Sequence, residues 1–420
     1  MKFEHVVCPL CGCLCDDLEL IVERNEVIST KNACALSRSM FLNLNADLAK
    51  PLIEGKETGI EACVDKAIGI ISKADYPLVY GLASTESNAQ RKAVELAELL
   101  GGAIDSTSSI CHGPTVLGVQ MMGEVTCTLG TIMNQADLVV FWGSNPVDAH
   151  PRHLTRYSLT PRGLFTPRGR KGRRMIVVDV RETKSSKLAD RFIQLKPGTD
   201  FEALSSLRAL IKGEKIDIDP ELKELAEEMK SCEFGALLFG QGLTMSNGKN
   251  MNVNAALALV RDLNQHTKFA ILPMRGHYNV TGADMVFTWQ TGYPFAIDFS
   301  LGYPRYGPGE FSVVDLLSRK EVDVALIIAS DPVSSLPAQA SSYLSEIDTI
   351  VIDPNRSMTS EIARVVIPTA RAGISAEGTA YRMDGVPIRL KKVLKSPYPS
   401  DYEVLCKIVN GVIDGRSKDS

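Results

Sequence analysis

Short, nearly continuous apolar runs recur along this chain, and each ends in Gly, Asn or Asp before a stretch of helical periodicity. Pro77-Leu-Val-Tyr-Gly81 resembles Ala236-Leu-Leu-Phe-Gly240, and both lead into Thr-x-Ser-Asn, at Thr85 to Asn88 and at Thr244 to Asn247. The helices that follow also align, Ala93-Val-Glu-Leu96 with Ala256-Leu-Ala-Leu259, and are expected to run on to Leu100 and Leu263. Further along, Asp137-Leu-Val-Val-Phe-Trp-Gly-Ser-Asn-Pro-Val147 matches Asp323-Val-Ala-Leu-Ile-Ile-Ala-Ser-Asp-Pro-Val333. Ile176 to Asp179 then matches Ile350 to Asp353, and Ala189 to Ile193 matches Ala363 to Ile367. Buried strands alternating with helices predict an α/β fold of duplicated Rossmann-like parallel sheets with helices on both faces. Ligands of such sheets bind at the carboxyl ends of the strands. Residues 373–385 have hairpin character, and a short helix with a polar, frayed tail is expected after Pro397.

The halves differ in one connection, where Arg162, Arg168, Arg170, Lys171, Arg173 and Arg174 occur with no acid among them. A solvated loop is the plain reading, and a docking or phosphate-contacting surface the sharper one. Overall charge points to no polyanion: 46 basic against 50 acidic residues leave a net −4, which favours neither nucleic acid nor a membrane surface. No apolar run approaches the length of a bilayer span. The start, Met-Lys-Phe-Glu-His, shows no secretory core, so ten cysteines fit a reducing cytoplasm in which thiols bind metals or stay free. Cys63, Cys127, Cys232 and Cys406 stand alone and read as small buried hydrophobes.

Four other cysteines do not read that way. Cys8, Cys11 and Cys15 cluster in one loop and Cys34 follows at a distance. Three close thiols and one remote thiol suit the corners of a cubane 4Fe-4S cluster, whereas structural zinc more often takes two separated pairs. A zinc site and unligated thiols are the competing readings. Cys13, inside the same loop, is treated as a bystander. Continuing the helix alignment sets Cys111 opposite Met274, His112 opposite Arg275 and Gly113 opposite Gly276, so equivalent loops carry Ile110-Cys-His-Gly113 and Met274-Arg-Gly-His277. In a pseudo-twofold fold these loops can meet in one crevice, bringing together a thiolate, an imidazole and a guanidinium. Individually, a core thiol, a structural histidine and an ion-paired arginine are the plain alternatives. Adjacent Cys and His also fit nucleophilic catalysis, but no nucleophile elbow accompanies them. His150, His153 and His277 form no metal spacing.

The cysteine set, Cys111-His112-Gly113, Trp142 to Pro146, Val178 to Arg181, Lys196 to Asp200, Met274 to Gly276 and Glu377 to Ala380 together resemble the molybdopterin oxidoreductases. Within them the chain looks like the catalytic B subunits of formylmethanofuran dehydrogenases, over nearly its whole length. The resemblance implies tungsten or molybdenum held by two molybdopterin guanine dinucleotides, with Cys111 ligating the metal and His112 and Arg275 acting at CO2 or formate. His112 is expected to relay protons from an unperturbed pKa. One dinucleotide is expected at Gly143, Asn145, Asp179, Gly198 and Asp200; Gly240, Asp331 and Asp353 are further cofactor-binding candidates. The implied domains are an iron–sulfur domain over 1–50 completed by about 371–395, an α/β domain joining 51–108 to 279–370, an inserted α/β domain over 109–278, and a C-terminal helix and tail over 396–420. The implied reaction is reversible two-electron reduction of CO2 to formate, as in methanogenesis. The implied partners are a separate subunit carrying a pterin-binding barrel, an amidohydrolase-like subunit for condensation with methanofuran, and ferredoxin-like iron–sulfur subunits. A formate dehydrogenase subunit and a metal-free electron-relay scaffold are the alternatives. Retention of the five cysteines argues against the bacterial branch that only hydrolyses or transfers formyl groups.

Overall fold

Ten parallel strands build two sheets, and the chain crosses between them twice. In the computed structural model, which describes residues 1–419, they are β1 (Pro77–Gly81), β2 (Ala103–Ser106), β3 (Leu138–Trp142), β4 (Arg174–Asp179), β5 (Arg191–Gln194), β6 (Phe234–Phe239), β7 (Lys268–Pro273), β8 (Val324–Ile328), β9 (Asp348–Ile352) and β10 (Val365–Ile367). One sheet has the order β2-β1-β8-β9-β10, and short antiparallel pairs at 297–306 and 52–57 extend its two edges. The other has the order β7-β6-β3-β4-β5. Matching β1 to β6, β2 to β7, β8 to β3, β9 to β4 and β10 to β5 superimposes the two orders, so the sequence repeats correspond to repeated topology. Every residue of β1, β3 and β8 is buried. Strands covered by helices on both faces read as unbroken apolar runs rather than alternating ones, which is why their sequences are so visible.

The repeat extends to a side chain. The Asp137 carboxylate, before β3, accepts the Glu233 and Phe234 N–H groups at 3.1 and 2.9 Å, tying the entry of β3 to that of β6. The Asp323 carboxylate, before β8, accepts the Asp75 and Tyr76 N–H groups at 2.7 and 2.9 Å and does the same for β8 and β1.

Six helices frame the crevices of these sheets: α1 (Ile60–Ile71), α2 (Ser87–Leu100), α3 (Gly113–Met122), α4 (Asn250–Leu263), α5 (Val280–Thr291) and α6 (Asp401–Asp419). The equivalent helices α2 and α4 end at Leu100 and Leu263. The C-terminal segment departs from the expected short helix and polar tail. It is a 19-residue helix whose Val404, Leu405, Ile408, Val409 and Val412 are buried with residues of α1 and α2. Their spacing repeats one apolar face every four residues, and that face outweighs the polar residues between them.

At the other end, a three-stranded antiparallel sheet (Lys2–Val6, Leu18–Glu23, Glu26–Lys31) and a helix (Ala35–Leu42) flank the cysteine loop. The hairpin Gly378–Tyr381/Pro387–Leu390 packs here, because Val7 and Leu14 share one apolar cluster with Ala372, Ala380 and Leu390. The basic connection is more than a solvated loop. Arg173 is buried and donates to the Tyr157 carbonyl at 3.0 Å and the Thr166 hydroxyl at 2.6 Å. Arg170 pairs with Asp190 and Arg174 with Glu228, and Arg162, Arg168, Lys171 and Arg174 are exposed. Among the described residues no helix is long and apolar enough to cross a membrane.

Candidate active site

Each sheet reverses its strand order at one place, between β1 and β8 and between β3 and β6, and an α/β sheet opens a crevice at such a reversal. At the second reversal the crevice is floored by backbone. Gly143 has φ +54°, and a Cβ there would lie 2.6 Å from the Leu243 nitrogen; a Cβ on Gly240 would lie 2.6 Å from the Gly143 carbonyl oxygen. Only glycine permits both the turn and this approach. Gly143, Asn145, Asp179, Gly198, Asp200 and Gly240 all stand at the carboxyl ends of β3, β4, β5 and β6. Their side chains are not equally free. Asp200 is committed within the protein, accepting from the Trp142 indole at 2.8 Å and the Ser246 hydroxyl at 2.9 Å. Asp179 caps the Val180 N–H, and burial raises its pKa. Asp331 and Asp353 hold the corresponding places after β8 and β9. Asp331 takes the Thr359 N–H and hydroxyl, and these donors outweigh burial and lower its pKa. Burial pushes Asp353 up to about 7.

The loops after β2 and β7 meet. Cys111 closes a single helical turn, Ser108–Cys111, and its thiol lies 3.3 Å from the Thr107 carbonyl. The Thr244 hydroxyl, from the other sheet's unit, donates to the Cys111 carbonyl at 3.1 Å. Arg275, 8% exposed, forms an ion pair with Asp284 of α5 and lies 3.4 Å from the Ser108 hydroxyl, which itself donates to Asp284 at 3.0 Å. Burial pushes the Cys111 thiol up to about 11 while the Arg275 charge pulls it down. His112 differs from the expected near-neutral titrating group. It is 1% exposed, and burial, with the Arg275 charge beside it, drives its pKa well below the usual imidazole range. Its Nδ1 lies 3.2 Å from the Thr115 hydroxyl.

The N-terminal thiols line one cavity. Cys8, Cys11, Cys13, Cys15 and Cys34 face it together with Ser37 and Arg152. Among the described residues no three His, Cys, Asp or Glu side chains converge on a point fit for a single ion. Four thiolates on one zinc must crowd within about 4 Å of each other, whereas a cubane holds them apart around a void. Thiol donors lining one cavity are chemically suited to a thiophilic metal group. The Cys34 sulfur caps its helix, accepting the Ser37 N–H at 3.4 Å, and the Cys8 thiol is 3.1 Å from the Ser37 hydroxyl. Burial raises the pKa of Cys8 and pushes Cys15 up to about 12. Cys13 is 1% exposed, and its contact with Cys11 lowers the Cys11 pKa.

One residue joins the cavity to the crevice. The Gly12 N–H donates to the Gly276 carbonyl at 3.0 Å, and its own carbonyl accepts from the Met383 N–H at 2.9 Å. A Cβ at position 12 would lie 2.4 Å from the Arg275 carbonyl oxygen.

The family model of the molybdopterin oxidoreductases matches residues 63–410 of the chain. Two relatives are similar over nearly the full length of both chains. The B subunit of the tungsten-containing formylmethanofuran dehydrogenase 2 of Methanocaldococcus jannaschii is 46% identical, covering 94% of each chain. Its counterpart in Methanococcus maripaludis is 43% identical, covering 98% of each. The chain belongs to the molybdopterin oxidoreductases, among the formylmethanofuran dehydrogenase B subunits. It is an oxidoreductase of that family. A chain of the formyltransferase/hydrolase complex of Methylorubrum extorquens shares the fold, with a TM-score of 0.72 at 22% identity over 87% of this chain and 99% of that one.

Several side chains at the crevice carry no sequence signal of their own. Asp284 and Ser108 hold the Arg275 guanidinium, and His150, whose Nε2 lies 2.7 Å from the Arg275 carbonyl, fixes its backbone. Asp284 sits nine residues beyond Arg275 on a different element, and only the fold brings them together.

Proposed function

We propose that the chain is the catalytic subunit of a formylmethanofuran dehydrogenase, reducing CO2 reversibly to formate. The observation that carries this reading is the meeting of Cys111, His112 and Arg275 where the loops after β2 and β7 come together, beside a thiol-lined cavity. Tungsten or molybdenum, on two molybdopterin guanine dinucleotides, supplies two-electron redox chemistry when bound. Cys111 offers a soft sulfur donor suited to such a metal. Gly143 and Gly240 leave the close backbone surface that a dinucleotide needs, with Asn145, Asp179 and Gly198 around it; Asp331 and Asp353 serve the pseudo-equivalent crevice. Cys8, Cys11, Cys15 and Cys34 would hold a 4Fe-4S cluster that receives electrons from ferredoxin-like subunits.

The chain's own residues bind and orient the carbon acid. The Arg275 fork is held by Asp284 and Ser108 so that its remaining donors can meet the oxygens on which charge grows. Buried His112 works as a neutral donor and acceptor beside it rather than as a standing cation. Arg275 and Asp284 line one open pocket, which gives a small oxyanion a way in or out. Condensation of formate with methanofuran belongs to an amidohydrolase-like partner, and closure over the dinucleotides to a separate chain that carries the barrel. The setting is a cytoplasmic multi-subunit complex.

Elemental analysis of the purified complex, with an inventory of its subunits, tests the reading. Iron together with tungsten or molybdenum is expected; iron alone would turn the chain into an electron relay. Cys111→Ala should abolish formate oxidation and CO2 reduction while the iron–sulfur spectrum persists. Unchanged turnover in that variant would remove Cys111 as the ligand.

A further inference from the structure

We propose that Glu124 holds the proton exchanged with the reaction site, passing it across the pocket that it shares with Thr115 and Arg275. The proposal rests on the CO2 reductase reading and deepens it. Glu124 follows α3, and with Thr115, Arg275, Asp284, Thr288 and Trp289 it lines an open pocket of about 450 Å³. Glu124 Oε1 is shielded from solvent yet has no hydrogen-bond partner within the protein. A buried carboxyl oxygen without a partner is costly unless it carries a proton or meets water. Another lining residue, from the first turn of α3, supplies the other end. The Thr115 hydroxyl, 1% exposed, lines the pocket and lies 3.2 Å from His112 Nδ1. A hydroxyl both accepts and donates, so one side chain links pocket water to the imidazole beside Arg275.

CO2 takes up two electrons and one proton to become formate. The electrons come from low-potential iron–sulfur carriers. The proton leaves the Glu124 carboxylic acid, and the carboxylate left behind is reprotonated from solvent through the pocket mouth. Formate oxidation runs the same path outward. The charged and titratable groups facing Glu124 are Arg275 after β7, Asp284 of α5 across the pocket, and Cys127 on its own connection. Burial pushes Glu124 up to about 7, with Arg275 pulling the other way, so both protonation states are accessible near neutrality.

The test uses the whole purified complex carrying Glu124→Gln or Glu124→Asp. In the wild-type complex, infrared difference spectra across pH should show a protonated-carboxyl band titrating near 7, and Glu124→Gln should lack it. Metal content and cluster spectra of the variant should equal those of the wild type. Its kcat should fall by roughly a hundredfold in both directions, the low end of what a positioned proton donor contributes. The neutral limb of the kcat–pH profile should vanish with it, and Glu124→Asp should recover part of both. A Glu124→Gln complex with wild-type kcat and an unchanged pH limb would overturn the proposal. A wild-type complex that neither reduces CO2 nor oxidises formate would instead overturn the reading beneath it.

Discussion

Arg275 faces two demands, and separating them gives the sharpest prediction at the residue scale. Its guanidinium neutralises Asp284 in a buried pair, and its free donors face the pocket. Arg275→Ala would leave Asp284 buried and unpaired, which typically costs about 3–5 kcal/mol. Under the proposed function it would also remove an oxyanion contact worth roughly 4 kcal/mol at 4 Å and an effective dielectric near 20. If that contact is made in the transition state, its loss is on the order of a thousandfold in kcat/KM. A double variant, Arg275→Ala with Asp284→Asn, separates the effects: thermal stability should return toward wild type while turnover stays lost. Recovery of turnover in the double variant would assign Arg275 a purely structural role. Arg275→Lys should keep the ion pair and the fold yet lose most turnover, because an ammonium lacks the planar fork.

At the scale of elements, α6 shows how a local pattern is overridden or missed. Its Leu405 is fully buried among residues of α1 and α2, so Leu405→Ala should lower stability by about 2–5 kcal/mol, read as a drop in Tm. Its first residue adds a pH signature. The buried Asp401 carboxylate accepts the Thr85 and Thr369 hydroxyls, and burial raises its pKa from 3.8 to about 6. The folded state then binds this proton more tightly than the unfolded chain. Its contribution to stability is full below about pH 4 and is lost as pH rises through about 6. Asp401→Asn should flatten the Tm–pH curve across that window; an unaltered curve would exclude the group. Strands such as β3 and β8 were legible because burial on both faces leaves an unbroken apolar run, and α2 and α4 were legible because each repeat confirmed the other. The face of α6 was equally present in the letters, but it has no counterpart elsewhere in the chain to draw attention to it.

On the scale of the whole molecule, the duplication decides what a sequence can reveal. Repeats align Cys111-His112 with Met274-Arg275, because each pair follows the strand at the same edge of its sheet. Partners that break the symmetry are invisible by that route. Asp284, Ser108, His150 and Thr115 reach the crevice from segments whose local patterns say only helix or turn, and the low pKa of His112 arises from burial that no motif encodes. The same asymmetry places a thiol on one loop and a guanidinium on the other. The cysteine spacing foreshadowed that these thiols share one cavity, but not the contact between their loop and the crevice.

That contact is Gly12, whose missing side chain lets one stretch of main chain rest against the carbonyl of Arg275. Nothing compressible lies between them. Under the proposed function, Gly12→Ala should therefore damage two properties at once, and iron content assayed beside formate affinity should show both falling together. A disturbance of the cysteine loop therefore reaches the main chain of Arg275 directly, with no side chain between to absorb it.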